Sequence, residues 1–146
     1  LSIRRQRQMC IRDRVICMEY SPRQCEIVRS LGIADVVLEA DAKKPLEALD
    51  IYQNALGDQL ADFTVNTVSV PNTELATVLV TKDTGMVYFF SMSTDFAKAS
   101  LGAEGIKKYV PMLIGNGYYP GHAEIAFDAV RREEKLRDYF TKRYCK

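Results

Sequence analysis

The sequence predicts an α/β domain built on a mostly parallel sheet, and two observations carry that expectation. Short apolar runs rich in β-branched and aromatic residues recur along the chain: VICMEYS (15–21), ADVVLEAD (34–41), ADFTVNTVSV (61–70), GMVYFFSMS (85–93) and VPMLIGNGY (110–118). Between them lie stretches with apolar residues at helical spacing, and strands alternating with helices make βαβ units. Most of the runs are continuously apolar rather than alternating, as expected of strands covered on both faces.

Each element has a local reason. After VICMEYS, Pro22 suits a first helical turn, Ile27, Val28 and Leu31 share a helical spacing, and Gly32 suits the stop. AKKPLEALDIYQNALGDQL (42–60) is helical, with Leu46, Leu49, Ala55 and Leu56 expected on one side and Gly57 as terminator. PNTELATVLVTKDTG (71–85) gives another helix or helical turn, and STDFAKASLGAEGIKKY (93–109) a loop with a short helix. GMVYFFSMS is the strongest strand, and its Tyr88, Phe89 and Phe90 read as core. From about His122 an amphipathic helix or helix pair closes the chain, with Ile125, Phe127, Val130, Leu136, Tyr139 and Phe140 expected inward. RREEKLRD (131–138) is a solvated face.

With 146 residues, 47% of them hydrophobic and 27% charged, the chain can bury a real core. No apolar run is long enough to cross a bilayer, so no membrane partner is expected. The four cysteines, Cys10, Cys17, Cys25 and Cys145, lack CxxC spacing, and His122 is the one histidine available to join them. Neither a metal site nor a disulfide framework is expected, and reduced thiols fit a cytoplasmic protein. Cys17 and Cys25 read as small buried hydrophobes.

The formal charge of +1 hides an asymmetry, because residues 1–14 hold five Arg and one Asp. Without them 15 basic residues face 18 acidic ones, a net of −3. A basic arm for phosphate and a disordered tail are two readings of RRQRQMCIRDR (4–14). Back-translation supplies a third, since CGT CGG CAG CGT CAG ATG TGT ATA AGA GAC AGR encodes these eleven residues in order. That string resembles a transposase-based sequencing adapter ending in its mosaic end. Residues 1–14 are therefore set aside as an artefactual or disordered segment, with the natural sequence expected to begin near Val15. No nucleic-acid partner is expected, because no other basic stripe with interleaved aromatics follows.

Glu19 is the first residue with chemical meaning. An acid that closes a short strand before Ser-Pro and a helix matches the second strand of a dinucleotide-binding fold, where the carboxylate accepts hydrogen bonds from the adenosine ribose hydroxyls. It would repel a 2′-phosphate, which favours NAD over NADP. An exposed strand-end acid of no special role is the competing reading. GxGxxG should lie about 20 residues upstream of such an acid, yet it occurs nowhere in the sequence.

VPNTE (70–74), YFFSM (88–92), LGAEG (101–105) and GNGY (115–118) are longer and more unusual than a generic nucleotide fingerprint. Through these motifs, residues 15–146 resemble the C-terminal part of the L-erythro-3,5-diaminohexanoate dehydrogenase family. The resemblance implies an incomplete Rossmann-type, medium-chain dehydrogenase-like fold, its sheet lacking the first strand and glycine turn. Residues 15–146 would form a partial NAD-binding domain with C-terminal helices. It also implies NAD-dependent oxidative deamination of (3S,5S)-3,5-diaminohexanoate to 5-amino-3-oxohexanoate in lysine fermentation, by a homo-oligomeric parent enzyme.

In a doubly wound sheet the cofactor lies at the carboxyl ends of the strands. That assigns Glu19, Tyr20 and Ser21 to adenosine, Asn66, Thr67 and Val68 to the middle of the cofactor, and Ser91, Met92 and Ser93 to nicotinamide, with Asn116 a further polar candidate. Asn66 and Asn72 could equally serve only their turns. Glu104 and His122 are the candidates for proton transfer, a solvated loop acid and a helix cap being the competing readings, so the catalytic acid and base stay unassigned. Two alternatives remain open. One is another NAD(P)-dependent medium-chain alcohol dehydrogenase or enone reductase, and the other is a non-catalytic binding or oligomerisation module.

Overall fold

The structure, a computed structural model, describes residues 14–115 and 119–145. Expectations for residues 1–13 and for Asn116 lie outside the described residues. The chain order is β1 (Ile16–Glu19), α1 (Pro22–Leu31), β2 (Val36–Glu39), α2 (Pro45–Leu56), β3 (Ala61–Asn66), α3 (Glu74–Leu79), β4 (Thr81–Phe89), α4 (Phe96–Gly105), β5 (Met112–Ile114), α5 (His122–Arg132) and α6 (Glu134–Tyr144). Strands and helices alternate through β5, the α/β pattern read from the sequence.

The strands form two sheets, β1-β2 and β3-β4-β5. β3 runs parallel to β4, and β4 parallel to β5. β1 and β2 are also parallel, since Val15 O accepts from Val36 N and Glu19 O from Ala40 N, which keeps one offset along both strands. The order 3-2-1-4-5-6 of a doubly wound sheet leaves 3-2 and 4-5-6 when its first strand is removed. Those are the two groups observed, so the fold is a partial Rossmann-type arrangement.

By internal packing the chain divides into two compact units. Among the described residues the first comprises 14–17, 26–37 and 119–145, the second 18–25 and 38–115. Within the first unit, Val15 N donates to Asp35 Oδ2 at 2.8 Å and Asp35 N returns a bond to Val15 O at 2.8 Å. Lys135 Nζ donates to Ser30 O at 3.0 Å, tying α6 to the end of α1. The terminal helices break at Glu133, whose backbone is extended. Their apolar residues are less buried than the sequence suggests, with Ile125 65% and Phe127 61% exposed. Ile125 and Phe127 are two residues apart and so point to opposite sides of a helix. Leu136 and Tyr139, at helical spacing, are half-buried.

Within the second unit, one face of the β3-β4-β5 sheet carries the main core. Val87 and Phe89 of β4 are fully buried against Val78 of α3, Ala99 and Ala103 of α4, and Val110, with Met112 and Ile114 packed alongside. A second cluster joins Ala40, Ala48 of α2 and Ala76 of α3, with Met18 and Ile51 against it. Here the sequence reading of α2 is corrected. Leu46 is exposed, and Ala48 and Tyr52 are buried instead. Small side chains at Ala40, Ala48 and Ala76 let the elements approach closely, a preference that hydrophobicity alone does not rank. α2 stops where Gly57 takes a φ of 67° and its N–H bonds Gln53 O at 2.7 Å.

The opposite face of the same sheet is open. Phe63 pairs with Met86, Val65 with Tyr88, and Tyr88 with Leu113. Paired residues of parallel strands point the same way, which makes these side chains one apolar surface. Phe63, Val65, Met86, Phe90 and Leu113 are all exposed. Of the three aromatics expected in the core, Phe89 is fully buried, Tyr88 half-buried and Phe90 exposed.

Strand β4 starts at Thr81, four residues before the expected GMVYFF run. Its register to β3 shifts between Ala61 and Phe63, and Gly85 sits in the irregularity. A Cβ there would stand 2.7 Å from Asp62 O and 3.1 Å from Ala61 O, both backbone atoms. Gly85→Ala should therefore destabilise the chain by about 1–3 kcal/mol in urea unfolding. Gly102→Ala, in mid-helix with only Leu75 Cδ1 at 3.4 Å, should be neutral or stabilise by up to about 1 kcal/mol.

Candidate functional site

Parallel pairing brings the carboxyl ends of β3, β4 and β5 to one edge. Phe90 N donates to Asn66 O at 2.9 Å and Gly115 N to Phe89 O at 3.4 Å, so the segments leaving the three strands start side by side. The turn after β3 (67–73) and the loop after β4 (90–95) therefore flank each other.

A buried polar ladder shapes the first of these. Asn66 closes β3, is 6% exposed, and donates from Nδ2 to Thr73 Oγ1 at 3.0 Å and to Thr77 Oγ1 at 2.9 Å. Its Oδ1 accepts from Val68 N at 3.1 Å. Each threonine passes its own proton onward, Thr73 to Val70 O and Thr77 to Thr73 O. One turn further along, Thr81 Oγ1 donates to Thr77 O at 2.8 Å, and Thr64 Oγ1 lies 2.7 Å away as its donor. Every polar atom of the Asn66 side chain is thus used internally. It fixes the turn that presents Thr67 and Val68, both exposed.

The second segment is built by α4. Asp95 caps that helix, its Oδ1 accepting from Lys98 N at 3.1 Å. Ser91 Oγ accepts from Ser93 N at 3.0 Å, which curls the loop and leaves Met92 96% exposed. Glu74, 2% exposed at the start of α3, accepts the Asp95 N–H on Oε1 at 2.9 Å. Lys98 Nζ donates to Asn72 Oδ1, and Asn72 holds a φ of 68°.

Glu19 lies at the carboxyl end of β1 and is half-buried. Its carbonyl accepts from Ala40 N at 3.0 Å. Tyr20 is 72% exposed, and Ser21 Oγ accepts from Gln24 N at 3.3 Å at the head of α1. Cys25 is fully buried, with its Sγ directed at Glu19 O and Leu38 O, and Cys17 is half-buried.

The structure does not bring Glu104 to this edge. It sits in the last turn of α4, about 13 Å of helix from Asp95, and faces a cleft with Lys107, Tyr109 and Met112 at the amino end of β5. Nearby, Lys108 Nζ donates to Leu79 O at 3.0 Å, and burial holds its pKa below the ordinary lysine value. His122 belongs to the first unit. Its Nδ1 is 2.8 Å from Tyr119 O. A carbonyl only accepts, so Nδ1 carries the proton and the imidazole braces the first turn of α5. Among the described residues no group of three or more His, Cys, Asp or Glu converges as a metal would require.

Sequence reasoning missed Glu74, Asp95, Lys98 and the threonines. The signal for the ladder was present, since Thr73, Thr77 and Thr81 recur at a four-residue spacing behind Asn66. Asn66→Ala should leave Thr73, Thr77 and the Val68 N–H short of partners and cost about 1–3 kcal/mol in chemical denaturation.

No family model matches the chain. Two curated proteins do. The chain is 46% identical over 114 residues to L-erythro-3,5-diaminohexanoate dehydrogenase of Acetoanaerobium sticklandii, an alignment covering 78% of the chain and 33% of that protein. It is 44% identical over 108 residues to the protein of the same name from Fusobacterium nucleatum subsp. nucleatum, covering 74% of the chain and 31% of the relative. The chain thus spans about a third of the length of the curated relatives it matches. Over roughly three quarters of its length, this chain is a homologue of the L-erythro-3,5-diaminohexanoate dehydrogenases.

Proposed function

We propose that the chain carries about half of the NAD site of a cytoplasmic dehydrogenase that oxidatively deaminates (3S,5S)-3,5-diaminohexanoate in lysine fermentation. The observation that carries the reading is the 46% identity to a dehydrogenase of that name. The partial Rossmann-type strand order and the acid closing β1 support it.

The residues present fit a dinucleotide except at its pyrophosphate. Glu19 supplies a carboxylate at a strand's carboxyl end, the pair of acceptor oxygens that two donating ribose hydroxyls require. Thr67 and Val68 stand exposed beside the Ser91–Ser93 loop, which offers hydroxyls and main-chain groups. The pyrophosphate needs a glycine turn, and no GxGxxG occurs in the sequence.

When bound, NAD would accept a hydride from C3 of the substrate. With water, the net products are 5-amino-3-oxohexanoate, ammonium, NADH and a proton. The chain's own residues would bind and orient. The Glu19 carboxylate would accept from the adenosine ribose and repel a 2′-phosphate. Asn66 would hold the β3 turn rigid, and Ser91 and Ser93 would line the nicotinamide end. The catalytic acid and base stay unassigned.

The parent-length enzyme should turn over 3,5-diaminohexanoate with NAD, while turnover confined to simple alcohols would reject this substrate. In that enzyme Glu19→Ala should raise the KM for NAD about tenfold or more and narrow its preference over NADP, read from paired steady-state kinetics. The 146-residue chain alone should show no NAD-linked turnover.

A further inference from the structure

The bond from Asp95 N to Glu74 has a precedent in form but not in origin. In a capping box, the residue three positions into a helix reaches back to the N–H of the cap. For α4 that residue is Lys98, a cation that cannot accept a hydrogen bond. Its ammonium goes to Asn72 Oδ1 instead. The accepting oxygen comes from Glu74, 21 residues upstream and on another helix. Two links thus run from the head of α4 to the VPNTE turn, with both donors on the α4 side and both acceptors on the turn.

We propose that Glu74 and Lys98 are positioning residues, which clamp the loop after β4 to the turn after β3 so that Ser91–Ser93 meets its ligand preformed. The clamp rests on the proposed function only for the identity of that ligand. Burying a carboxyl is costly unless its oxygens are bonded, so Glu74 at 2% exposure is an expensive way to hold one amide. The expense is understandable if the held segment must not move. Nothing else in the described residues ties Asp95 N–H down, and the loop itself has only the Ser91–Ser93 and Ser91–Thr94 bonds to shape it.

Hydrogen exchange on the full 146-residue chain tests the clamp. Glu74→Leu should speed exchange across 91–98 about tenfold, with the Val87 and Phe89 amides unchanged. Glu74→Gln keeps the accepting oxygen and should restore wild-type protection. Unchanged exchange at 91–98 in folded Glu74→Leu overturns the proposal, as does acceleration spread evenly over β4. Should Glu74→Leu fail to fold, Lys98→Ala decides. It is an exposed substitution that severs the other link, and acceleration confined to 91–98 supports the clamp while none overturns it. In the parent-length enzyme Glu74→Leu should raise the KM for NAD with kcat less affected, and Glu74→Gln should rescue it. Absence of any NAD turnover in the unmutated parent would defeat the functional reading, and the exchange result would still decide the clamp.

Discussion

The parallel pairing of β3, β4 and β5 is the constraint on which the rest of the site depends. It delivers three chain exits to one edge, and a strand-end asparagine and a buried glutamate then fix what those exits present. Asn66 spends its whole side chain on the turn below it. Glu74 spends its carboxyl on the loop beside it. Both side chains are engaged in internal bonds, and both bear on where the exposed Thr67, Val68 and Met92 stand. The polar chemistry of this edge is therefore mostly internal, and the surface it offers is largely main chain and small hydroxyls.

Much of this was legible in the sequence. The α/β class, the order of elements and the parallel strands follow from continuous apolar runs separated by helical spacing. Gly57 and Pro22 marked helix ends for reasons of backbone geometry alone. Motifs carried the relationship to the dehydrogenases, because VPNTE and LGAEG are too unusual to arise from composition. What escaped was tertiary. Ala48 outranks Leu46 in the core because close approach rewards small side chains. Thr81 joins β4, where its hydroxyl has a place beside Thr64, although PNTELATVLVTKDTG reads as a helix or helical turn. α4 is a full helix of ten residues because Asp95 caps it, where the small residues of its sequence suggested a loop with only a short helix. Glu74 stood in the sequence only as the last residue of VPNTE, and the fold shows it facing a distant cap.

The open face of β3-β4-β5 belongs to the same account. Phe63, Val65, Met86, Phe90 and Leu113 form an apolar row that a parallel sheet ordinarily covers with helices. Together with the separation of β1-β2 from β3-β4-β5, it agrees with a doubly wound sheet whose first strand is left out. Glu19 closes β1 and the Ser91–Ser93 segment follows β4, each at the carboxyl end of its strand, and no GxGxxG occurs in the sequence.

A structure of the parent-length enzyme with NAD tests this account most directly. The account predicts the Glu19 carboxylate within hydrogen-bond distance of the adenosine ribose hydroxyls and the nicotinamide beside Ser91–Ser93. A dinucleotide bound elsewhere, or Glu19 turned away from the ribose, would contradict it.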